Sequence, residues 1–331
     1  MIVKMFNFWY FFWIVVTIGA CVGLYFLLRN KSDRTKKIVL WSILAFALVL
    51  HFLKALFPPY STDINRLYRD SWFVNICGAN IALFPIFFLS KNKHLKDYMF
   101  YIGVLSGLIS LFYPMEVIIK SNPSGEWLDV IRFYIHHGIL WIVPLLMVLL
   151  GLHDVEYTRV WSVPISLLAV MLFIMLNQVL QSELGFIPLR GDDMLDINYK
   201  NSSLIWGPDN DIGWLLTWCV PKVFKTIPVG ELAGTAKYWP WFWLIVPAFV
   251  LLTPICFGIA MIFNSRAFKM DCLLFIDKVK ARFATEEESD EEYERKYGEI
   301  PEKYRPKRKS KPKKKDVFDI DLEDKNIDTE K

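Results

Sequence analysis

The stretch FNFWYFFWIVVTIGACVGLYFLL, from Phe6 to Leu28, decides the fold because it is apolar throughout and carries no charge. An α-helix needs about 20 such residues to cross a hydrocarbon layer roughly 30 Å thick. No water is available there for backbone groups, so the segment must be helical. It exceeds the apolar part of a signal peptide, and no small-residue cleavage site follows it before Arg29. We therefore predict a transmembrane helix that is retained.

Six further apolar runs follow, separated mostly by short charged loops. They are residues 38–57, 71–90, 98–119, 130–152, 160–180 and 239–263. The composition agrees, with 54% hydrophobic and 16% aromatic residues despite a polar tail. Aromatic residues crowd the ends of the runs, where they favour the membrane interface. The pattern predicts an all-α membrane protein, a bundle of seven transmembrane helices.

Composition divides the chain into three parts. Residues 1–263 form the seven-helix domain, in which residues 181–238 are a loop rich in Gly, Pro and Trp that we expect to fold over the bundle. Residues 264–284 mix apolar and basic side chains, as an amphipathic helix on the membrane surface does. Residues 285–331 form acidic and basic blocks that cannot bury a core, so we predict a disordered tail.

Positive charge in the short loops predicts the orientation. The first loop carries five Lys and Arg residues between Arg29 and Lys37, and the third carries Lys91, Lys93 and Lys96. The loops on the opposite face carry fewer. Because cytoplasmic loops are enriched in Lys and Arg, we predict a multi-pass protein of the cell membrane with its N-terminus outside and its C-terminal tail in the cytoplasm.

The sequence lacks the motifs that mark several classes of function. The five cysteines show no paired spacing, which argues against a disulfide framework or a Cys-x-x-Cys metal site. There is no internal repeat, Gly-rich phosphate loop or cofactor fingerprint. We expect no cofactor, no metal and no nucleic-acid partner. Membrane lipids are the expected partners, and the charged tail is a candidate contact for another membrane protein.

Polar residues inside the predicted spans mark a candidate site, because such residues are costly in a membrane. They are His51 and Lys54, Asn75, Cys77 and Asn80, Glu116, Arg132, His136 and His137, Asn177 and Gln178. Measured from the predicted span ends, His51, Cys77 and His137 lie roughly 9 to 10 Å below the outer boundary, and Asn177 and Glu116 about 5 Å below it. The inner half of the bundle is expected to be almost purely apolar.

A thiol and imidazoles at one depth indicate nucleophilic catalysis, because an imidazole can generate the reactive thiolate. At acyl-chain depth the substrate would be a lipid ester. Cys77 could equally pack as a small apolar residue, and a histidine could bridge two helices by a hydrogen bond. Adjacent His136 and His137 project about 100° apart, so both cannot face one site. A metal held by His51, His137 and Glu116 has no support from ligand spacing.

At these residues the chain resembles the YwaF-type family of bacterial integral membrane proteins, whose eukaryotic relatives act as phospholipid acyltransferases. The resemblance covers most of residues 35–263. It rests on Leu50-His51-Phe52-Leu53, on Asn75-Ile76-Cys77, on the aromatic stretch that ends in His137-Gly138, on Asn177 followed by Leu184-Gly185-Phe186, and on Trp239-Pro240-Trp241. It implies seven helices, with Cys77 as the acyl-accepting nucleophile and His137 as its base.

Two interpretations therefore remain. In the leading one, Cys77 and His137 transfer or hydrolyse acyl chains of membrane lipids in the outer leaflet, supported by His51, Asn75, Asn177 and Glu116. In the other, the chain is a non-catalytic membrane protein, either a small-solute transporter or an assembly partner of other membrane machinery. A transporter would more typically show a repeat, which is absent from this sequence.

Overall fold

The computed structural model describes residues 1–58, 60–62, 67, 72–73, 75–120, 127–185, 203–208, 211–227, 230–231, 233–235 and 237–283. The chain separates into two units, Met1–Ser265 and Arg266–Lys331. The described part of the first unit is built from helices and turns. The predicted disordered tail, residues 285–331, lies outside the described residues.

Six helices in the described part of the chain are long and apolar enough to cross a membrane. The first five such spans comprise α1 (Phe8–Leu28), α2 (Asp33–Leu53, extended by a 3-10 turn to Leu56), α4 (Lys93–Phe112, followed by the short α5, Met115–Lys120), α6 (Trp127–Leu149) and α7 (Ser162–Glu183). The sixth span, Phe242–Phe263, is not a uniform α-helix. A 3-10 turn (Phe242–Leu244) leads through Ile245–Pro247 and a π-helical turn (Ala248–Leu252) to α8 (Thr253–Phe263).

The third predicted span is shorter than the sequence indicates. Its helix, α3, runs from Ile76 to Leu89, and these 14 residues rise only about 21 Å. Asn75 caps it, since its Oδ1 accepts a hydrogen bond from the backbone N–H of Gly78 at 2.7 Å. The helix packs on α2, α4, α6 and α7, so neighbouring helices enclose it. Six of the seven predicted spans are thus present, and the third is a short helix inside the bundle.

Helix α4 ends earlier than predicted, and Glu116 lies after the break. Pro114 lacks a backbone N–H, and the helix stops at Phe112 before it resumes as α5. Glu116 lies in that short segment and is exposed. The candidate span Lys93–Ile118 still includes it, so its depth in the membrane stays a prediction.

The most extensive helix contact in the bundle joins α4 to α6, and two glycines allow it. A Cβ at Gly103 would lie 2.5 Å from the carbonyl oxygen of Leu140, and one at Gly107 would lie 2.6 Å from the Cβ of Trp141. A side chain larger than that of glycine would overlap the neighbouring helix at both positions. Small residues let the backbones approach, as in many membrane helix pairs.

Helix α1 lies at the edge of the bundle and contacts α6 through one face. Trp13 stacks on Tyr134 with ring centroids 4.9 Å apart, and the hydroxyl of Tyr10 donates to the carbonyl of Phe112 at 2.9 Å. The large apolar side chains of its remaining surface are exposed. In a membrane, that surface faces lipid.

The segment before the last span folds into the bundle. Residues 203–208 are almost entirely buried, and Trp206 is only 2% exposed. The backbone N–H of Trp241 donates to Ile205 at 2.9 Å, and its indole N–H reaches the carbonyl of Leu168 inside α7 at 2.8 Å. This part of the long loop therefore packs against the helices. The short helices Asp211–Leu216 and Lys222–Lys225 and the 3-10 turn Thr217–Cys219 complete its described elements.

Beyond the bundle, helix α9 runs from Ser265 to Phe283, where the predicted juxtamembrane helix was placed. It mixes basic residues such as Arg266 and Lys269 with apolar ones such as Leu273 and Phe275. Its location on a membrane surface stays a prediction.

Candidate functional site

Cys77 is the second residue of α3, in the first turn of that short helix. It is half-buried and packs against the apolar core. The sequence placed it several residues inside a span, whereas the structure places it directly after the Asn75 cap. Asn75, predicted as a supporting residue, holds this turn in place through its bond to Gly78.

His51, in the last turn of α2, lies beside the same turn of α3. The side chain is 4% exposed, and its ring stacks on Phe73 at a centroid distance of 5.5 Å. A Cβ built on Gly78 would lie 3.9 Å from Cε1 of His51. The structure therefore brings His51 next to the residue that follows Cys77.

The adjacent histidines of α6 have different surroundings. His137 is half-buried, and its Nδ1 lies 2.8 Å from the carbonyl oxygen of Phe133 one turn earlier. A carbonyl can only accept, so Nδ1 carries the proton. In the neutral ring, Nε2 then carries the lone pair that a general base needs.

His136 shows the opposite tautomer. Its Nδ1 lies 3.4 Å from a guanidinium nitrogen of Arg132, which can only donate, so in the neutral ring the proton sits on Nε2. The ring is 2% exposed, and Nε2 has no hydrogen-bond partner among the described residues. Its centroid lies 6.1 Å from that of His51. Sequence analysis named His137 as the catalytic base, and the structure places the ring of its neighbour His136 near that of His51.

Glu116, predicted as a supporting residue, lies in the short segment α5 and is exposed. Its carboxylate has an electrostatic effect on Cys77, His137 and Arg132. Its role as a supporting residue stays a prediction.

Asn177 belongs to a row of amides at the end of α7. Asn177 and Gln181 are four residues apart and share a helix face, with the buried Gln178 beside them. Among the described residues, Nδ2 of Asn177 and both amide atoms of Gln181 lack hydrogen-bond partners. Sequence analysis named Asn177 as a supporting residue and overlooked Gln181. The spacing of four residues would have shown that both amides lie on one face of the helix.

Asn80, one turn after Cys77, is tied to α4. The hydroxyl of Tyr98 donates to its Oδ1 at 2.8 Å, and both residues are fully buried. The Nδ2 of Asn80 has no partner within the described part of the chain. This bond anchors the first two turns of α3.

A small cavity lies where α2 ends and α6 begins. Its volume is about 110 Å³, and its lining includes Lys54, Tyr60, Asp129 and Arg132 together with apolar side chains. Arg132 donates to Asp129 through Nε at 2.9 Å and to the hydroxyl of Tyr60 at 3.1 Å. Sequence analysis listed Lys54 and Arg132 among the polar residues of the predicted spans, and it did not single out Tyr60 and Asp129.

The opposite end of the bundle holds a second buried polar cluster, formed by residues just outside the predicted apolar runs. Asp97 is fully buried and lies 2.7 Å from Nε2 of His153 and 2.6 Å from Nε of Arg159. Burial lowers the pKa of the Arg159 guanidinium, but the bonds and charges of Asp97 and Glu156 outweigh it and raise that pKa. The carboxylate thus joins the start of α4 to the loop between α6 and α7. The sequence signal for it was an acidic residue directly before an apolar run.

Metal binding finds no donor set in the described residues, where no three His, Cys, Asp or Glu side chains are placed to hold an ion. Near Cys77 the structure places the Asn75 cap and the imidazole of His51.

Comparison with known proteins gives one match. The model of the TMEM164 family matches residues 5–259, which include Cys77 and all the histidines described around it. No curated protein and no solved structure matches the chain significantly.

Proposed function

This chain belongs to the TMEM164 family, a family of transmembrane proteins, and we propose that it transfers or hydrolyses acyl chains of membrane lipids through Cys77 and His137. The observation that carries the proposal is the position of Cys77 in the first turn of α3, beside the buried His51 of α2. The Phe133 carbonyl also fixes His137 in the tautomer whose Nε2 can act as a general base. The proposal also draws on the resemblance of the motifs around these residues to lipid acyltransferases.

In the first half-reaction, Nε2 of His137 takes the proton of the Cys77 thiol. The sulfur attacks the carbonyl carbon of a lipid ester, the bond from that carbon to the ester oxygen breaks, and His137 returns the proton to the leaving oxygen. The products are a lysolipid and a thioester on Cys77.

In the second half-reaction, His137 removes a proton from an acceptor hydroxyl. The acceptor oxygen attacks the thioester carbonyl, the carbon–sulfur bond breaks, and the thiol is restored. A lysolipid hydroxyl as acceptor makes the protein a transferase, and water makes it a hydrolase. No cofactor is consumed in either case.

His51 stabilises the oxyanion that forms in both steps. Its ring is buried and lies beside the turn that holds Cys77. Preorganised donors of this kind are typically the largest electrostatic contribution to acyl transfer. Asn75 orients the turn, while Asn177 and Glu116 complete the polar surroundings of the site.

The site lies in the outer leaflet of the cell membrane, with the N-terminus outside and the tail in the cytoplasm. The excess of Lys and Arg in the first and third loops supports this orientation. The cytoplasmic tail remains a candidate contact for a membrane-protein partner.

The second candidate function is a non-catalytic one, transport of a small solute. It is favoured by the interrupted helices: α3 is short, α4 breaks at Pro114, and the last span contains a π-helical turn. Transporters bind substrates at such breaks. A covalent intermediate distinguishes the two functions, because transport needs none.

The decisive experiment is labelling of the purified full-length protein with a lipid-like probe that acylates reactive thiols. Cys77 should be labelled, and Cys77→Ala should lose the label together with turnover of lipid acyl chains. Cys256→Ala is the matched control, because Cys256 is a fully buried thiol in another span. Equal labelling of the wild-type and Cys77→Ala proteins would remove the thiol mechanism and leave the transport function.

A further inference from the structure

Residues 211–226 expose a large apolar surface although they lie between the fifth and sixth candidate spans. They form the two short helices and the 3-10 turn of the long loop. Four large apolar side chains in this segment are each between 56% and 67% exposed: Trp214, Leu215, Trp218 and Val223. The first three are spaced as neighbours on one helical face. A contiguous apolar patch of this kind marks an interaction surface.

The segment is fastened to the start of the last span. The backbone N–H of Trp239 donates to the carbonyl of Phe224 at 2.9 Å, and its indole N–H donates to the carbonyl of Thr226 at 3.3 Å. The ring of Phe224 stacks on that of Phe242, the first residue of the span, with centroids 6.3 Å apart. Phe242 is itself exposed, as are other large apolar side chains of the span. The segment therefore adjoins a surface that faces lipid.

The backbone of the segment suits the boundary of a membrane. Short helices leave carbonyl groups without a partner inside the helix, and side chains bind three of them here. The hydroxyl of Thr217 donates to the carbonyl of Trp214 at 2.7 Å, and that of Thr226 donates to the carbonyl of Lys222 at 2.7 Å. The ammonium of Lys225 donates to the carbonyl of Thr217 at 3.3 Å. Irregular backbone is not tolerated against lipid in the hydrocarbon core, whereas water reaches it at the interface.

We propose that residues 211–226, the anchor segment, lie in the headgroup region of the bilayer and insert their four exposed apolar side chains among the upper acyl chains. Tryptophan favours this region because its ring is amphipathic. Lys222, next to Val223, adds an exposed cation that can reach the lipid phosphates. The partner of the patch is thus a lipid surface, in the leaflet at this end of the bundle. This inference goes beyond the acyl chemistry and does not depend on Cys77.

The anchor segment also contacts the part of the loop that is buried in the bundle. A Cβ at Gly213 would lie 2.8 Å from Cα of Pro208 and 2.9 Å from Cδ2 of Leu204. Insertion of the anchor segment into the bilayer therefore holds residues 203–208 from the membrane side, while Trp241 and Trp243 hold them from the bundle.

Fluorescence quenching in the full-length protein tests the anchor segment. The protein is reconstituted in phosphatidylcholine nanodiscs, and its emission is quenched by brominated phosphatidylcholine or by aqueous iodide. The bromines are placed either near the glycerol or near the chain ends. The difference between wild type and Trp218→Phe isolates the emission of Trp218. We expect a blue-shifted emission that shallow bromines quench more strongly than deep ones and that iodide does not reach. Trp214→Phe should give the same result.

A buried tryptophan of the same loop provides the matched control. Trp206 is enclosed by the bundle, so the emission lost in Trp206→Phe should respond to neither quencher. If iodide quenches the Trp218 emission and bromolipid does not, the segment lies in water. If neither quencher acts, protein covers the patch. Either result overturns the proposal. Trp214 and Trp218 are exposed, so phenylalanine at these positions removes no core packing. Thiol labelling is measured separately, so failure here leaves the Cys77 chemistry standing.

Discussion

The imidazole rings of His51 and His136 lie 6.1 Å apart between centroids, although the two residues are 85 positions apart in the chain. This pair marks the end of the bundle at which α2 ends and α3 and α6 begin. The thiol, the cationic cavity and the Asn75 cap all adjoin that end. The adjacent His137 has a different partner, the Phe133 carbonyl. In its neutral ring the proton is therefore on Nδ1, whereas in His136 it is on Nε2.

This division of roles predicts distinct kinetic effects. His137→Ala and Cys77→Ala should each abolish acyl turnover, and the double variant should cost little more than either change, because the two act as one unit. His51→Ala should reduce the rate by about 10²- to 10³-fold, the usual effect of losing one oxyanion donor. Measured turnover in purified protein checks all four variants. Additive losses in the double variant contradict the shared mechanism.

The close contact of α4 with α6 predicts that a Gly→Ala change in α4 lowers the stability of the protein more than the same change in α1. Gly103→Ala should lower the unfolding temperature strongly, because the new Cβ would meet the backbone of Leu140. Gly23→Ala, in α1, meets no atom within 4 Å and should be neutral or slightly stabilising. Thermal unfolding in detergent compares them. Equal effects would mean that α4 and α6 do not approach this closely.

The buried carboxylate of Asp97 predicts a large loss of stability. Asp97→Asn leaves Arg159 without its main counter-charge and should cost about 3 kcal/mol or more. Asp33→Asn is the control, because it breaks an ion pair to Lys36 in which the Asp33 side chain is 68% exposed. Such surface pairs contribute about 1 kcal/mol or less to stability. Chemical unfolding gives both values. A loss for Asp97→Asn no greater than that of the control contradicts the buried cluster.

The bond from Tyr98 to Asn80 predicts a smaller cost. Tyr98→Phe leaves the buried Oδ1 of Asn80 without its donor and should destabilise the protein by about 1 to 3 kcal/mol. Tyr25→Phe removes a hydroxyl that makes no hydrogen bond within the described residues, so it should have little effect. The same unfolding measurement applies. If the two losses match, α3 is not anchored through this bond.

The proposed orientation predicts which positions face the outside of the cell. In intact cells, an impermeant thiol reagent should label a cysteine placed at Lys222 and spare one placed at Arg34. Both positions are exposed, so access differs only by the side of the membrane. The reverse labelling would show the opposite orientation, which places the proposed site in the inner leaflet.

Hydropathy alone identified six spans correctly, because an apolar segment of that length has no alternative to a helix in lipid. The third span was misjudged for a local reason. Its apolar run includes Asn75, which caps the helix instead of lying inside it. The fourth span is also interrupted at Pro114, so Glu116 lies in the short helix after the break.

The candidate residues were also readable from sequence, since polar side chains are rare in apolar runs. The sequence by itself determined that the chain is a helical membrane protein and that Cys77 and the histidines are its unusual members. Only the tertiary structure decided that His51 meets His136, that Arg132 and Lys54 share a cavity, and that Asp97 has two distant partners. The physical reason is that span formation depends on local composition, whereas side-chain partners depend on the rotation of each helix about its axis and on which helices pack together.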